Sequence, residues 1–144
     1  MAISIQIVID CADPAGLSAF WAEALHYKIQ DPPTGYANWQ DWLRDHGIPQ
    51  EQWNDASAVV DPDGQGTRFF FQRVPEPKTA KNRMHVDLNI SNAREVGADV
   101  GRRRVDIEVD RLMSLGATRV GANEQHGEYW VVMQDPEGNE FCVQ

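Results

Sequence analysis

DPEGNEFCVQ, residues 135–144, nearly repeats DPDGQGTRFFFQ, residues 61–72. Each copy begins with a tight acidic turn, in which proline fixes φ and glycine supplies the positive φ that closes the turn. Each turn leads into a strand-like run that ends in glutamine. Because the turn and the strand occur together twice, we interpret the chain as two copies of one structural unit.

The first copy opens with an alternating strand and a well-marked helix start. Ile3–Ile9 has the alternation of a strand with one covered face. Asp13 suits the N-cap and Pro14 the first helical position. Apolar residues then recur at helical spacing: Leu17, Phe20, Trp21, Ala24 and Leu25. Three strand-like runs complete this copy: Tyr27–Gln30, Ser57–Val60 and Arg68–Gln72.

The second copy repeats this order. Met84–Ile90 alternates, and a helix with Gly116 at its C-cap follows. Its apolar positions are Val105, Val109, Leu112 and Met113. Three strands complete the copy: Thr118–Gly121, Tyr129–Gln134 and Glu140–Val143. We therefore predict an α+β chain with the order β-α-β-β-β twice, module 1 at about residues 1–75 and module 2 at about residues 82–144 of a single domain.

The composition favours a compact acidic protein. A chain of 144 residues with 42% hydrophobic residues can bury a sizeable core. A formal charge of -9 disfavours a nucleic-acid partner. We expect neither export nor a membrane partner, since the start of the chain lacks a charged-then-apolar signal and its apolar runs are only strand-length. Cys11 and Cys142 do not make a disulfide framework, so we expect a cytoplasmic location.

These features resemble the vicinal oxygen chelate superfamily, which includes glyoxalase I, extradiol dioxygenases and bleomycin-resistance proteins. The resemblance rests on the paired units, the Asp13 helix start, the segment KNRMHVD at residues 81–87 and the closing stretch 135–142. It covers the chain except for an insertion at residues 32–56, and it is strongest to the glyoxalase-like branch common in actinobacteria. It implies a curled mixed sheet around a cavity shared by the two modules, and we expect a homodimer.

In that superfamily a helix covers one face of each sheet and the other face lines the cavity. Strand parity places Ile5, Ile7 and Ile9 beneath the first helix, which turns Gln6 towards the cavity. The same parity places Met84, Val86, Leu88 and Ile90 beneath the second helix, with His85 and Asp87 opposite. We expect a small organic molecule in a cavity lined by Gln6, Phe70, Gln72, His85, Asp87, Trp130 and Cys142.

Metal-using members of the superfamily place His or Gln on the opening strand of each unit and Glu on the last. By position these sites correspond to Gln6 and His85, with Cys142 at the second Glu and Phe70 or Gln72 at the first. Because neither carboxylate is present, we favour no metal cofactor and no ordinary glyoxalase I site. If a divalent metal such as Zn, Ni, Fe or Mn binds, its ligands would be Gln6, His85 and Cys142.

The sequence leaves the chemistry open. Cys142 would be a nucleophile only if His85 activates it, and Asp87 or Glu140 would be a general base only if burial raises its pKa. The chain is then either a metal-free binding protein of the bleomycin-resistance kind or a metal-dependent isomerase, lyase or dioxygenase acting on vicinal oxygens. Whether it is an enzyme is not decided by these residues.

The insertion is rich in aromatic residues, namely Tyr36, Trp39, Trp42 and Trp53. Trp39, Trp42 and Leu43 have helical spacing, which predicts a short helix. Two interpretations compete. The tryptophans would either form a lid that stacks on the ligand, or simply pack across the mouth of the cavity or at a subunit interface.

Overall fold

The computed structural model describes all 144 residues, which form two compact units, Met1–Pro77 and Lys78–Gln144. The first unit contains β1 (Ile7–Cys11), α1 (Pro14–Leu25), β2 (Lys28–Ile29), α2 (Trp39–Asp45), a 3-10 turn at Gln50–Gln52, β3 (Ala56–Val60) and β4 (Phe69–Arg73). Its four strands form one sheet in the order β1-β4-β3-β2. β1 and β4 are parallel, and the other neighbours are antiparallel.

The second unit has the same sheet topology. It contains β5 (Asp87–Leu88), α3 (Ala93–Val96), α4 (Ala98–Ser114), β6 (Thr118–Gln125), β7 (Glu128–Gln134) and β8 (Glu140–Val143). The sheet order is β5-β8-β7-β6, with β5 parallel to β8. The α+β prediction and the repeated β-α-β-β-β order are therefore confirmed. That the two units form a single domain around a shared cavity stays a prediction.

Helix α1 covers one face of the first sheet. Asp13 caps it, accepting hydrogen bonds from the backbone N–H of Gly16 and from Asn54 Nδ2. Trp21 is 1% exposed and its ring lies 5.5 Å from that of Phe69. Phe71, one of the other buried residues on this face, is completely buried. The predicted cap and helix face are confirmed, because local capping and apolar spacing both point to the same element.

Helix α4 covers one face of the second sheet. Val105, Val109 and Leu112 point inward as predicted and are buried. Their sheet partners are fully buried as well: Val131, Met133, Phe141 and Val143. Met113, expected on the same stripe, is 45% exposed, because at helical spacing it lies at the edge of the buried stripe.

The two repeated turns close in the same way. Asp61 accepts hydrogen bonds from the backbone N–H groups of Asp63 and Gln65. Asp135 accepts equivalent bonds from Glu137 and Asn139. The glycine of each turn has positive φ, +70° at Gly64 and +85° at Gly138. The sequence repeat therefore reflects a repeated hydrogen-bonding pattern.

The opening strands are shorter than the alternation predicted. β1 begins at Ile7, not Ile3, and β5 contains two residues. Ile5 and Met84 are 77% and 89% exposed, so their predicted positions beneath a helix are wrong. The reason is pairing: β4 reaches only from Phe69 to Arg73 alongside β1, and residues before Ile7 have no strand partner. None of the helices combines the length and apolar character needed to cross a membrane.

Candidate functional site

The candidate residues of each unit lie on the face of its sheet opposite the covering helix, here called the open face. In the first unit, Val8 pairs with Phe70 and Asp10 with Gln72, so Phe70 and Gln72 share one face as predicted. Gln6 precedes β1 and is exposed on the same side. His85 in the second unit is also exposed. Neither Gln6 nor His85 lies beneath a helix. That both line one cavity stays a prediction.

Three ligand-type side chains meet on the open face of the second unit. Asp87 on β5 pairs with Cys142 on β8, and His85 lies two residues before Asp87. The His85 Nε2 atom is 3.3 Å from Asp87 Oδ1. The donor atoms of His85, Asp87 and Cys142 all lie within 4.8 Å of one another. Sheet pairing therefore places a nitrogen, an oxygen and a sulfur donor together, two of them on half-exposed side chains.

Trp130 lies beside this cluster. Val132 pairs with Cys142, and Trp130 is two residues earlier on β7. Because side chains two apart in a strand share a face, Trp130 lies on the same face as Cys142. Its side chain is half-buried. The open face of the second unit thus combines an aromatic surface with a polar cluster.

The environment of Cys142 favours the protonated thiol. Burial raises the pKa of its thiol, and the negative charge of Asp87 raises it further, against a smaller opposing effect of Lys81. The thiolate, not the thiol, is the attacking species in nucleophilic catalysis. The raised pKa therefore disfavours the hypothesis that Cys142 is a nucleophile. The contact of His85 Nε2 is with the Asp87 carboxylate and not with the thiol.

The Glu140 carboxylate is held by hydrogen bonds from the segment that precedes β5. Its Oε2 atom accepts hydrogen bonds from the backbone N–H of Asn82 at 3.0 Å and from Lys78 Nζ at 3.1 Å. The bond from Asn82 is the main reason that the pKa of Glu140 is lowered to about 2. A general base works best with a pKa near the working pH. A raised pKa was the condition for a general base at Glu140, and this condition is not met, because hydrogen-bond donors outweigh burial there.

The second unit's donor set fits a divalent metal. Imidazole nitrogen, carboxylate oxygen and thiolate sulfur are all zinc ligands, and zinc distances of about 2.0 to 2.3 Å require neighbouring donors to lie about 3.5 Å apart. The 3.3 Å separation of His85 and Asp87 meets that requirement. Binding would have to release the Cys142 proton. Asp87 was predicted as a base and cavity residue and not as a ligand.

The side-chain oxygen of Gln6 is engaged by an arginine. Its Oε1 accepts a hydrogen bond of 2.6 Å from Arg68 Nη1. Arg68 Nε donates to Gln30 Oε1 at 2.7 Å, and the guanidinium lies 5.3 Å from the centre of the Phe70 ring. A metal bound to Gln6 would stand beside a permanent positive charge. The first unit's open face therefore presents a guanidinium in contact with the residue at the superfamily's metal-ligand position, Gln6.

Sequence reasoning missed Arg68. A signal was present, since Arg68 precedes Phe70 and Gln72 at the same strand parity and so belongs to the same face. Its two glutamine partners, however, are 62 and 38 residues away in the sequence. Such a contact depends on the parallel pairing of β1 with β4, which the pattern of one strand does not specify.

The tryptophans of the insertion contact one another and nearby backbone. Trp39 Nε1 donates to Gln30 O at 2.7 Å, and Trp53 Nε1 donates to Ile48 O at 2.9 Å. Trp42 stacks on His46 with ring centres 4.1 Å apart and meets Trp39 edge to face at 5.6 Å. The predicted short helix is present as α2. These contacts favour packing within the insertion.

The chain matches the family model described as Glyoxalase-like domain over residues 6–144. It belongs to that glyoxalase-like family. No curated protein gives a significant match. Among solved structures with the same fold is a glyoxalase/bleomycin resistance/dioxygenase family enzyme from Burkholderia phytofirmans PsJN, with TM-score 0.61 and 15% identity over 96% of this chain and 94% of that one.

Two further structural neighbours of the glyoxalase-like chain have known ligands. A mutant of the fosfomycin resistance protein FosX from Listeria monocytogenes, complexed with Mn(II) and 1S,2S-dihydroxypropylphosphonic acid, has TM-score 0.64 and 11% identity over 100% of this chain and 90% of that one. The bleomycin-binding protein of Streptomyces verticillus, complexed with copper(II)-bleomycin, has TM-score 0.55 and 12% identity over 100% and 96%. At these identities the likeness establishes the fold. Together with the family match it confirms the predicted superfamily, whereas the actinobacterial branch stays a prediction.

Proposed function

We propose that this glyoxalase-like protein binds a small organic molecule on its open faces and has no ordinary glyoxalase I metal site. One observation carries the proposal. Gln6, at the position of a metal ligand in the superfamily, uses its Oε1 atom to accept a hydrogen bond from the Arg68 guanidinium. A divalent cation there would face like-charge repulsion and would compete for the only strong acceptor of that side chain.

The surfaces around these residues suit an organic ligand. Phe70 in the first unit and Trp130 in the second are half-buried aromatics on the open faces, and those faces also carry Gln72 and Asp87, respectively. Ligand sites typically combine apolar walls with a few polar groups that fix orientation. The bleomycin-binding neighbour shares this fold, and its name supports a binding role as one of the fold's functions. The homodimer and the cytoplasmic location stay predictions.

The second candidate is a metal-dependent isomerase, lyase or dioxygenase. The cluster of His85, Asp87 and Cys142 favours it, and the FosX neighbour is complexed with Mn(II). In that case these three residues would hold the ion, which would supply Lewis-acid polarisation of a substrate oxygen. The half-exposed Asp87 carboxylate would then be shared between the ion and its contact with His85.

Ligand screening with and without metal separates the two candidates. We expect compounds that raise the melting temperature of chelator-treated protein, with binding confirmed by calorimetry and unchanged when zinc or cobalt is added. Binding that appears only after metal addition would overturn the proposal and support the metal-dependent enzyme.

Cobalt also reports directly on the cluster. A thiolate–cobalt charge-transfer band in the near ultraviolet that disappears in Cys142→Ser would place the metal on this cluster. Cys11→Ser is the matched control, since Cys11 is likewise buried but lies in the first unit. A band that Cys11→Ser removes instead would exclude the cluster.

A further inference from the structure

We propose that Arg68 binds an oxyanion, so that the ligand of this protein is a small organic carboxylate or phosphorylated compound. The inference rests on the proposed binding function and gives the chemical class of its ligand. It concerns the open face of the first unit, where Arg68 lies between Gln6 and Gln30.

The Arg68 guanidinium is held in a defined orientation. Nε donates to Gln30 Oε1 at 2.7 Å and Nη1 donates to Gln6 Oε1 at 2.6 Å. The guanidinium carbon lies 5.3 Å from the centre of the Phe70 ring. Two hydrogen bonds and one ring contact fix both the position and the plane of the group. A fixed guanidinium loses little further side-chain entropy when it binds a ligand.

The charge of Arg68 is not balanced by a carboxylate. Both of its acceptors are neutral amides, and the Nη2 amino group makes no hydrogen bond. Arg73, on the same strand, differs because it forms an ion pair with Asp55 at 3.4 Å. Guanidinium groups bind carboxylate and phosphate oxygens through paired N–H donors. The Nη2 amino group of Arg68, with its two N–H donors, is therefore available for an anion.

An apolar surface lies next to this charge. Val8 is 48% exposed and pairs in register with Phe70 on the open face. An anion with an aromatic or aliphatic body would place its oxygens on Arg68 and its body on these two side chains. The protein as a whole carries a formal charge of -9, so its general field repels anions. Binding would therefore depend on Arg68 specifically.

A purely structural role is the competing explanation. Arg68 links Gln6, before β1, to Gln30, after β2, and this link alone would stabilise the sheet. The two roles differ in their effect on anions. A structural link affects the melting temperature, whereas an oxyanion site also discriminates between charged and neutral ligands of the same shape.

The test is a titration of the whole protein with benzoate, phenylphosphonate and the neutral isostere benzamide, followed by heteronuclear NMR. We expect at least one anion to bind and to shift the Arg68 Nε–Hε signal, which is assigned by its loss in Arg68→Lys. Arg68→Met should weaken anion binding by roughly tenfold to a hundredfold, the range for one charge-assisted interaction. Arg73→Met, which removes the same charge from the same strand, should bind as the wild type does.

If Arg68→Met fails to fold, Arg68→Lys is tested in its place, since it keeps the positive charge. It should bind anions more weakly than the wild type because lysine lacks the planar guanidinium. Preference for benzoate or for phenylphosphonate would identify the carboxylate or the phosphoryl source. Binding of benzamide as tight as benzoate, or equal loss in Arg73→Met, would overturn the inference. A metal-free ligand from the screen that Arg68→Met binds unchanged would reject the oxyanion site alone. Absence of binding by every library compound and probe would reject the proposed function itself.

Discussion

Asp87 and Glu140 show how two carboxylates of one unit acquire different roles. Glu140 is 13% exposed at its side chain and accepts hydrogen bonds from Asn82 and Lys78. The Asp87 side chain is 41% exposed and interacts with the other titratable side chains of the cluster, His85 and Cys142. Glu140 is therefore an anchor for the segment that precedes β5. Asp87 remains the carboxylate that a ligand or metal can reach.

Glu140 should make stability depend on pH in the acid range. Its folded pKa of about 2 lies below its ordinary value of 4.5. The carboxylate therefore stabilises the fold fully above about pH 4.5, and this contribution is lost as the pH falls towards 2. Glu140→Gln should lower the free energy of unfolding by about 1 to 2 kcal/mol at pH 7 and flatten its dependence on pH below 5.

Urea unfolding at several pH values measures this effect. Glu128→Gln is the matched control. Glu128 lies at the exposed end of β7, and its substitution removes the same charge from the protein. Equal acid sensitivity of wild type and Glu140→Gln would show that the carboxylate does not anchor the segment.

At the scale of elements, the insertion folds as a small cluster of its own. Asn38 caps α2 by accepting from the backbone N–H of Asp41, and Tyr36 donates to Asp45 Oδ2 at 2.6 Å. Trp42 is half-buried between Trp39 and His46. These contacts lie within the insertion, and Trp39 and Asn54 add hydrogen bonds to Gln30 and Asp13 outside it, so the chain itself holds α2 in place.

We expect Trp42→Ala to lower stability and leave ligand affinity nearly unchanged. Full burial of tryptophan would cost roughly 3 to 5 kcal/mol on truncation, and a half-buried ring should cost about 1 to 2 kcal/mol. Trp42→Phe, which retains a ring against His46, should recover most of this loss. Paired melting and titration with a ligand from the screen provide the measurement. Intact stability with weakened affinity would instead support the lid.

The same elements show how much the sequence could predict. Asp13, Asp61 and Asp135 mark a helix start and two turns through hydrogen bonds to residues a few positions away, so local pattern was enough. The ends of β1 and β5 were misplaced because they depend on where a distant strand stops. Of the site, the common face of His85 and Asp87 followed from two-residue spacing, whereas the contacts of Arg68 required the register of β1 against β4.

At the scale of the whole molecule, the chain repeats one unit but does not repeat a set of carboxylate ligands. The last strand of the first unit carries Phe70 and Gln72 on its open face, and that of the second unit carries Cys142. The unit was thus retained as a scaffold while its polar residues differ between the two copies. Chemistry must therefore be argued from each open face separately.

The final prediction is that the protein has no ordinary glyoxalase I activity. That reaction moves a proton, and a positioned base contributes roughly a hundredfold to ten-thousandfold. Neither superfamily Glu position holds a carboxylate. Glu140 has a pKa of about 2, and the side-chain oxygen of Gln6 accepts a hydrogen bond from Arg68. We expect no turnover of the methylglyoxal–glutathione hemithioacetal above the uncatalysed rate with zinc, nickel or cobalt supplied. An authentic glyoxalase I assayed in parallel verifies the substrate, and thermal melting verifies that the tested protein is folded. An enzyme-like rate with any of the three metals would contradict this prediction.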